Sequence, residues 1–218
     1  MPRSSSSSHK SRGAGEPVFR LADGVGAIQA GELIVYPTET FYALGADPFS
    51  RIALGRLFRV KARESGHPVG LIAADTSMAF SLAREVPIDA RRLADAFWPG
   101  PLTLVIPARD GLAPELTGPD GVAVRVSPNP IARALASGLG HPITATSANL
   151  SRHPPATSLA EARSAFGAKV KVYLEGGNLA ATAPSTLVVV NREGWKMVRA
   201  GAISEDQIAA VLAGEQLK

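Results

Sequence analysis

The sequence predicts a single α/β domain built on a twisted mixed β-sheet. Apolar, β-branched runs of strand length alternate irregularly with segments of helical periodicity, and irregular mixing argues for a mixed sheet. Of the 218 residues, 45% are hydrophobic and the mean hydropathy is +0.09, enough to fill one sizeable core. No internal repeat and no linker divides residues 17–218. Residues 1–16 are Ser-rich and of low complexity. They read as a disordered tail, because so few apolar groups cannot offset ordering entropy.

The elements follow in order. A helix over 21–30 is stopped by Gly31. The strand at 32–36 (ELIVY) is cut by Pro37. A helix over 50–63 carries a broad apolar face from Ile52, Leu54, Leu57, Phe58 and Val60. The strand at 69–74 (VGLIAA) precedes helices over 76–84 and 89–97. The stiff turn Trp98-Pro99-Gly100-Pro101 leads into a strand at 102–107 (LTLVIP). Next come a strand at 121–126 (GVAVRV) and a helix over 130–138 with Pro130 in its first turn. A strand at 143–146 follows. The helix over 158–166 opens on Ser158 with Glu161 three residues on, the pattern of a capping box. Strands at 170–174, 185–190 and 195–199 precede a capped helix over 204–213.

Composition excludes several chemistries. There is no cysteine, which rules out disulfides, thiolate catalysis and Cys-based zinc sites. His9, His67, His141 and His153 show no H-x-x-x-H pairing, so no metal site is expected. No apolar run approaches the roughly 18 residues of a membrane span. Arg3, Lys10 and Arg12 lie in the tail without a following apolar stretch, unlike a secretory signal. The tail is also homopolymeric serine without amphipathic pattern, unlike a transit peptide. A cytoplasmic location is therefore expected. Net charge is +4 and the sequence pI about 9.7. Arg3, Lys10 and Arg12 against Glu16 give the tail +2, leaving +2 for the rest. That is too little for charge alone to argue nucleic-acid binding. A polyanionic small molecule needs only a few well-placed cations.

Four polar clusters sit at or beside strands, where open α/β sheets place ligands. YPTET (36–40) puts two hydroxyls and a carboxylate straight after a buried strand; a turn with a helix cap is the plain alternative. Lys61 and Arg63 stand at a helix end with His67 beyond, suited to phosphates or simply to the helix dipole. Thr146-Ser147-Ala148-Asn149, with Ser151 beyond, offers neutral hydrogen bonds to a nucleotide or forms an Asx/Ser turn. It is not a P-loop, since no G-x-x-x-x-G-K-[ST] run occurs. The fourth set is Arg125, Ser185, Thr186 and Arg199. Arg125 lies inside an apolar strand and needs an anionic partner, either a protein carboxylate or a ligand. For Arg199, before Gly201, snorkelling at a strand end is the easier explanation. There is no Ser-His-Asp set and no paired-carboxylate site. Cations and hydroxyls suit transfer chemistry run by positioning and charge neutralisation.

The order of these clusters resembles the YrdC-type threonylcarbamoyl-AMP synthase family. The resemblance covers about residues 20–212. It is carried by YPTETFYALGADP (36–48), Lys61-x-Arg63, WPGPLTLV (98–105), VAVRV (122–126), TSANLS (146–151), PSTLVVV (184–190) and VRAGAIS (198–204). It looks like a short, single-domain member. The resemblance implies a sheet folded around a concave basic cavity. The implied reaction is a nucleotidyl transfer that joins L-threonine, bicarbonate and ATP into threonylcarbamoyl-adenylate and pyrophosphate. Partner proteins then use the product to modify tRNA. By resemblance, Thr40, Arg125 and Ser185 bind threonine, with Arg125 on its carboxylate. Lys61 and Arg63 hold the triphosphate and act in catalysis. His67, Ser147, Asn149 and Arg199 contact the nucleotide. Mg2+ is expected to travel with ATP, without a dedicated acidic cage.

Three positions depart from the family pattern. His67 stands where a lysine is usual, Ile72 where many members have histidine, and Arg152 where glycine usually follows SAN-x-S. Two other functions compete: a module binding tRNA or double-stranded RNA without catalysis, and a carbamoyl-transfer domain of related fold.

Overall fold

The computed structural model describes residues 19–62, 68–180 and 183–215. The expected tail over 1–16, Arg63 and His67 lie outside the described residues.

The chain runs α1 (Leu21–Gln29), β1 (Ile34–Tyr36), β2 (Ala43–Gly45), α2 (Arg51–Lys61), β3 (Gly70–Ala73), α3 (Thr76–Phe80), α4 (Ile88–Phe97) and β4 (Leu102–Ile106). It continues β5 (Thr117–Gly118), β6 (Gly121–Val126), α5 (Pro130–Leu139), β7 (Ile143–Ser147), α6 (Leu159–Phe166), β8 (Val172–Tyr173), β9 (Thr186–Asn191), β10 (Gly194–Arg199) and α7 (Glu205–Ala213). Side-chain caps set several helix starts. Ser50 accepts from Ala53 N, Asp75 from Met78 N, and Asn129 from Ile131 N and Ala132 N. Ser158 with Glu161 and Ser204 with Gln207 complete capping boxes.

Three elements differ from expectation. The helix expected over 76–84 stops at Phe80, because the chain turns there to bridge Ala83 to Ala108 and to donate from Arg84 N to Pro107 O at 2.9 Å. β2 and β5 are too short, at three and two residues, to show a periodicity. β5 closes onto β6 through Gly121, at φ +123°, where a Cβ would lie 1.9 Å from Ile106 O. Only glycine fits that turn.

Among the described residues ten strands form one sheet in the order β10-β9-β4-β6-β3-β7-β2-β1-β8, with β5 on β6. β4/β9, β3/β6 and β1/β8 are parallel. β1/β2, β2/β7, β3/β7, β4/β6 and β9/β10 are antiparallel. The sheet is therefore mixed, as expected.

Period-two alternation gives its central strands two different faces. Leu71, Val124, Leu104 and Val188 form one cross-strand row. They are buried with Ala79 of α3, Leu93 of α4 and Ile208 of α7. Each such aliphatic side chain contributes about 1.5–3 kcal/mol by leaving water. The intervening residues Thr103, Ala123, Arg125 and Leu187 face the other way and line a cavity. That alternation explains a charged residue inside GVAVRV: Val122, Val124 and Val126 enter the core, and Arg125 does not.

Candidate active site

The cavity has a volume of about 370 Å3, within the roughly 300–1,000 Å3 of ordinary ligand pockets. Thr40, Arg125, Ser147, Ser185 and Arg199, all picked out in the sequence, line it together. Lys61 and Asn149 stand behind Ser147, joined to it by hydrogen bonds. Residues far apart in sequence thus meet on one side of the sheet.

The β1–β2 loop forms one wall. Thr38 Oγ1 donates to Phe41 O at 2.7 Å and accepts from Thr40 N at 3.2 Å and Phe41 N at 3.3 Å. This hydroxyl-closed turn presents Thr40 to the cavity and sends Glu39 across to β6. Glu39 Oε1 lies 2.7 Å from Arg125 Nη1, and Glu39 Oε2 accepts from Ser127 Oγ. Ser127 Oγ in turn accepts from Asn129 N at 3.1 Å, at the start of α5. The protein carboxylate that Arg125 needs is therefore Glu39, and Arg125 still reaches the cavity.

A second wall carries Arg199. Its Nε and Nη2 donate to Ser185 O at 3.3 and 2.9 Å, and Nη2 also donates to Ser185 Oγ at 3.1 Å. Ser185 Oγ is 2.9 Å from Thr103 Oγ1. Among the described residues Arg199 has no carboxylate partner. Burial first, and then the nearby Arg125 charge, lower its pKa from the ordinary value. Two guanidinium groups thus share one cavity, with one carboxylate, that of Glu39, paired to Arg125 behind it.

The third wall is the Lys61 cluster. Lys61 is 4% exposed. Its Nζ donates to Ser147 O, to Ser147 Oγ at 3.2 Å and to Asn149 Oδ1 at 3.1 Å. Ser147 Oγ donates to Asn149 Oδ1 at 2.6 Å, and Asn149 Nδ2 donates to His153 O. The Asn149 amide is thus directed onto Lys61 and the chain. Ser151 N and Oγ both donate to Lys61 O, at 3.2 and 3.0 Å, closing the end of α2, where Ala62 turns left-handed at φ 49°.

Glu39, Thr103 and Ser127 are site residues that the sequence reading did not assign. Glu39 was visible as the carboxylate of YPTET, and Thr103 as the polar residue alternating with Leu102 and Leu104. Nothing marked Ser127. No three His, Cys, Asp or Glu side chains gather among the described residues in a way that would hold a metal ion.

A family model named Sua5_yciO_yrdC and described as "Telomere recombination" matches residues 26–201. The chain belongs to the Sua5/YciO/YrdC family. A relative from Chromohalobacter salexigens named threonylcarbamoyl-AMP synthase is 39% identical over 174 residues, covering 79% of this chain and 93% of the relative. A threonylcarbamoyl-AMP synthase of Pyrococcus abyssi is 34% identical over 195 residues, covering 89% of this chain. This chain spans 57% of that longer protein. The crystal structure of P. abyssi Sua5 complexed with L-threonine superimposes with a TM-score of 0.84 at 34% identity, over 88% of this chain and 57% of that one. The solved structure of Escherichia coli YciO gives a TM-score of 0.77 at 26% identity, over 86% and 92%.

Membership in the family gives two of the departures a structural setting. Arg152, where the resemblance leads to an expectation of glycine, has φ 69°, a conformation that costs non-glycine residues free energy. Ile72 is fully buried and is the register partner of both Arg125 and Ile143.

Proposed function

We propose that residues 17–218 form a threonylcarbamoyl-AMP synthase domain. The carrying observation is the cavity floored by Arg125 and Arg199 and edged by Thr40, Ser185 and Ser147, in a chain of this family. An amino acid needs a cation for its carboxylate and hydroxyl groups around it. Arg125 takes the threonine carboxylate, with Thr40 and Ser185 beside it. Lys61 and Arg63 hold the triphosphate, Ser147 and His67 contact the nucleotide, and Arg199 reaches the adenylate. Asn149 supports the nucleotide side by positioning Lys61.

The chemistry needs no protein nucleophile. The threonine amine attacks the carbon of bicarbonate, an N–C bond forms and water leaves, giving the carbamate. A carbamate oxygen then attacks the α-phosphorus of ATP, and the bond to pyrophosphate breaks. Lys61 and Arg63 offset the charge that grows on the departing pyrophosphate. Mg2+ is carried on the ATP phosphates as part of the substrate. No helix among the described residues is long and apolar enough to cross a membrane. The product would pass to the proteins that modify tRNA, which places the proposed role in the cytoplasm.

The test is pyrophosphate release by the purified chain, with each of L-threonine, bicarbonate and ATP omitted in turn. Release that requires all three supports the reading. Binding of tRNA or double-stranded RNA with no pyrophosphate release under any combination overturns it.

A further inference from the structure

We infer that Glu39 sets the charge of the amino-acid pocket, holding two arginines to a net charge of +1 so that the pocket selects a monoanionic carboxylate over a tetrahedral dianion. The inference rests on the threonine reading above.

Arg125 and Arg199 both line the cavity. Like charges sharing a low-dielectric pocket repel strongly, and Arg199 registers this as a lowered pKa, after the larger effect of burial. An unbalanced pair of guanidiniums is a general receptor for phosphate-like dianions, because Arg presents forked donors that match tetrahedral oxygens. The reaction proposed for this site produces pyrophosphate beside the pocket, so such a receptor would be blocked by its own product. Glu39 prevents this by geometry. Its Oε1 sits 2.7 Å from Arg125 Nη1, with the side chain 14% exposed and that of Arg125 9% exposed. Ser127, itself fully buried, donates to Oε2 and fixes the carboxylate from behind. Glu39 does not line the cavity. It acts through Arg125, as a positioning and charge-balancing residue, and leaves the substrate side of the guanidinium open. The threonine carboxylate then completes neutrality at the guanidiniums, and a compact tetrahedral dianion in the same place overshoots it.

Sulfate is the probe, since it is a tetrahedral dianion that does not interfere with pyrophosphate detection. Its binding is measured by calorimetry, and its inhibition is measured against threonine and, separately, against ATP. Glu39→Gln keeps the side-chain shape and still accepts from Ser127. It is expected to bind sulfate about tenfold more tightly, competitively with threonine, with the effect fading at high ionic strength. The KM for ATP stays unchanged. Glu39→Asp keeps the charge and stays near wild type. The double variant Glu39→Gln/Arg125→Gln restores a net charge of +1 and also binds sulfate weakly, a readout available even if Glu39→Gln alone does not fold. Equal sulfate affinity in wild type and Glu39→Gln overturns the inference, as does a double variant that binds as tightly as Glu39→Gln. If the wild type shows the sulfate pattern but releases no pyrophosphate with threonine, the charge balance stands and the threonine reading falls.

Discussion

Lys61 ends its helix with its ammonium group turned into the loop after β7, donating to Ser147 Oγ at 3.2 Å and Asn149 Oδ1 at 3.1 Å. These contacts fix the position of a 4% exposed ammonium group beside the cavity wall that carries Ser147. Asn149→Ala removes one acceptor from Lys61 and a donor from the His153 carbonyl. It is expected to cost about 1–3 kcal/mol of stability and to lower kcat/KM for ATP by roughly 100-fold. Lys61→Ala should lose at least as much activity, and the double variant little more than either single one, because the residues act as one unit. Urea unfolding and steady-state kinetics on the three variants check this.

Arg125 and Glu39 make opposite predictions for stability and activity. Arg125→Met leaves Glu39 buried without its partner and should cost about 3–5 kcal/mol. Arg125→Met/Glu39→Met removes both charges and should recover most of that stability. Neither variant should use threonine, since both lack the guanidinium in the pocket. A double variant that stays as unstable as the single one in urea melts would show that the ion pair is not what the strand needs.

This pair also shows where the sequence stops being legible. The strand at β6 could be read directly, because Val122, Val124 and Val126 alternate, and Arg125 stood out as needing an anion. Its partner could not be read, because Glu39 reaches it only through the sheet order, with β3, β7 and β2 lying between β6 and β1. Lys61 is similar. At a helix end a lysine reads as a solvated cation on the dipole, and only the packing of the β7 loop over α2 buries it. The long elements were found because periodicity needs length. β2 and β5 lacked that length. The early end of α3 followed from the Ala83–Ala108 bridge, a non-local contact.

Gly201 meets the segment that carries Ser185 at close range. A Cβ at Gly201 would lie 2.4 Å from Pro184 O and 2.5 Å from Thr186 N, both backbone atoms. Thr186 is pinned on its other sides, with Oγ1 donating to Ile203 O at 2.7 Å and its N donating to Pro101 O at 2.9 Å. The segment cannot yield without moving Ser185 in the cavity wall. Gly201→Ala is therefore expected to destabilise by about 1–3 kcal/mol through overpacking. It should also raise the KM for threonine about tenfold, with the KM for ATP changed less. A variant with lowered stability and an unchanged threonine KM would separate this contact from the pocket.

Two buried tyrosines contribute to the alkaline limit of stability. Burial, the largest cause, pushes Tyr42 up to about 12 and Tyr173 up to about 12. An unfolded tyrosine titrates near 10, so between pH 10 and 12 the folded chain holds protons that the unfolded chain has released. Stability from these groups is fully present below pH 10 and falls as pH rises toward 12. Tyr42 OH donates to Gly177 O at 2.8 Å and accepts from Gly176 N at 3.0 Å, so Tyr42→Phe also loses stability at neutral pH. Among the described residues Tyr173 OH has a single hydrogen bond, donated to Gly167 O at 2.8 Å. Tyr173→Phe is thus the cleaner test: a cost of about 1 kcal/mol at pH 7 and a shallower loss of stability above pH 10. Urea midpoints measured from pH 7 to 12 decide it. A slope as steep in Tyr173→Phe as in the wild type would place the alkaline transition on other groups.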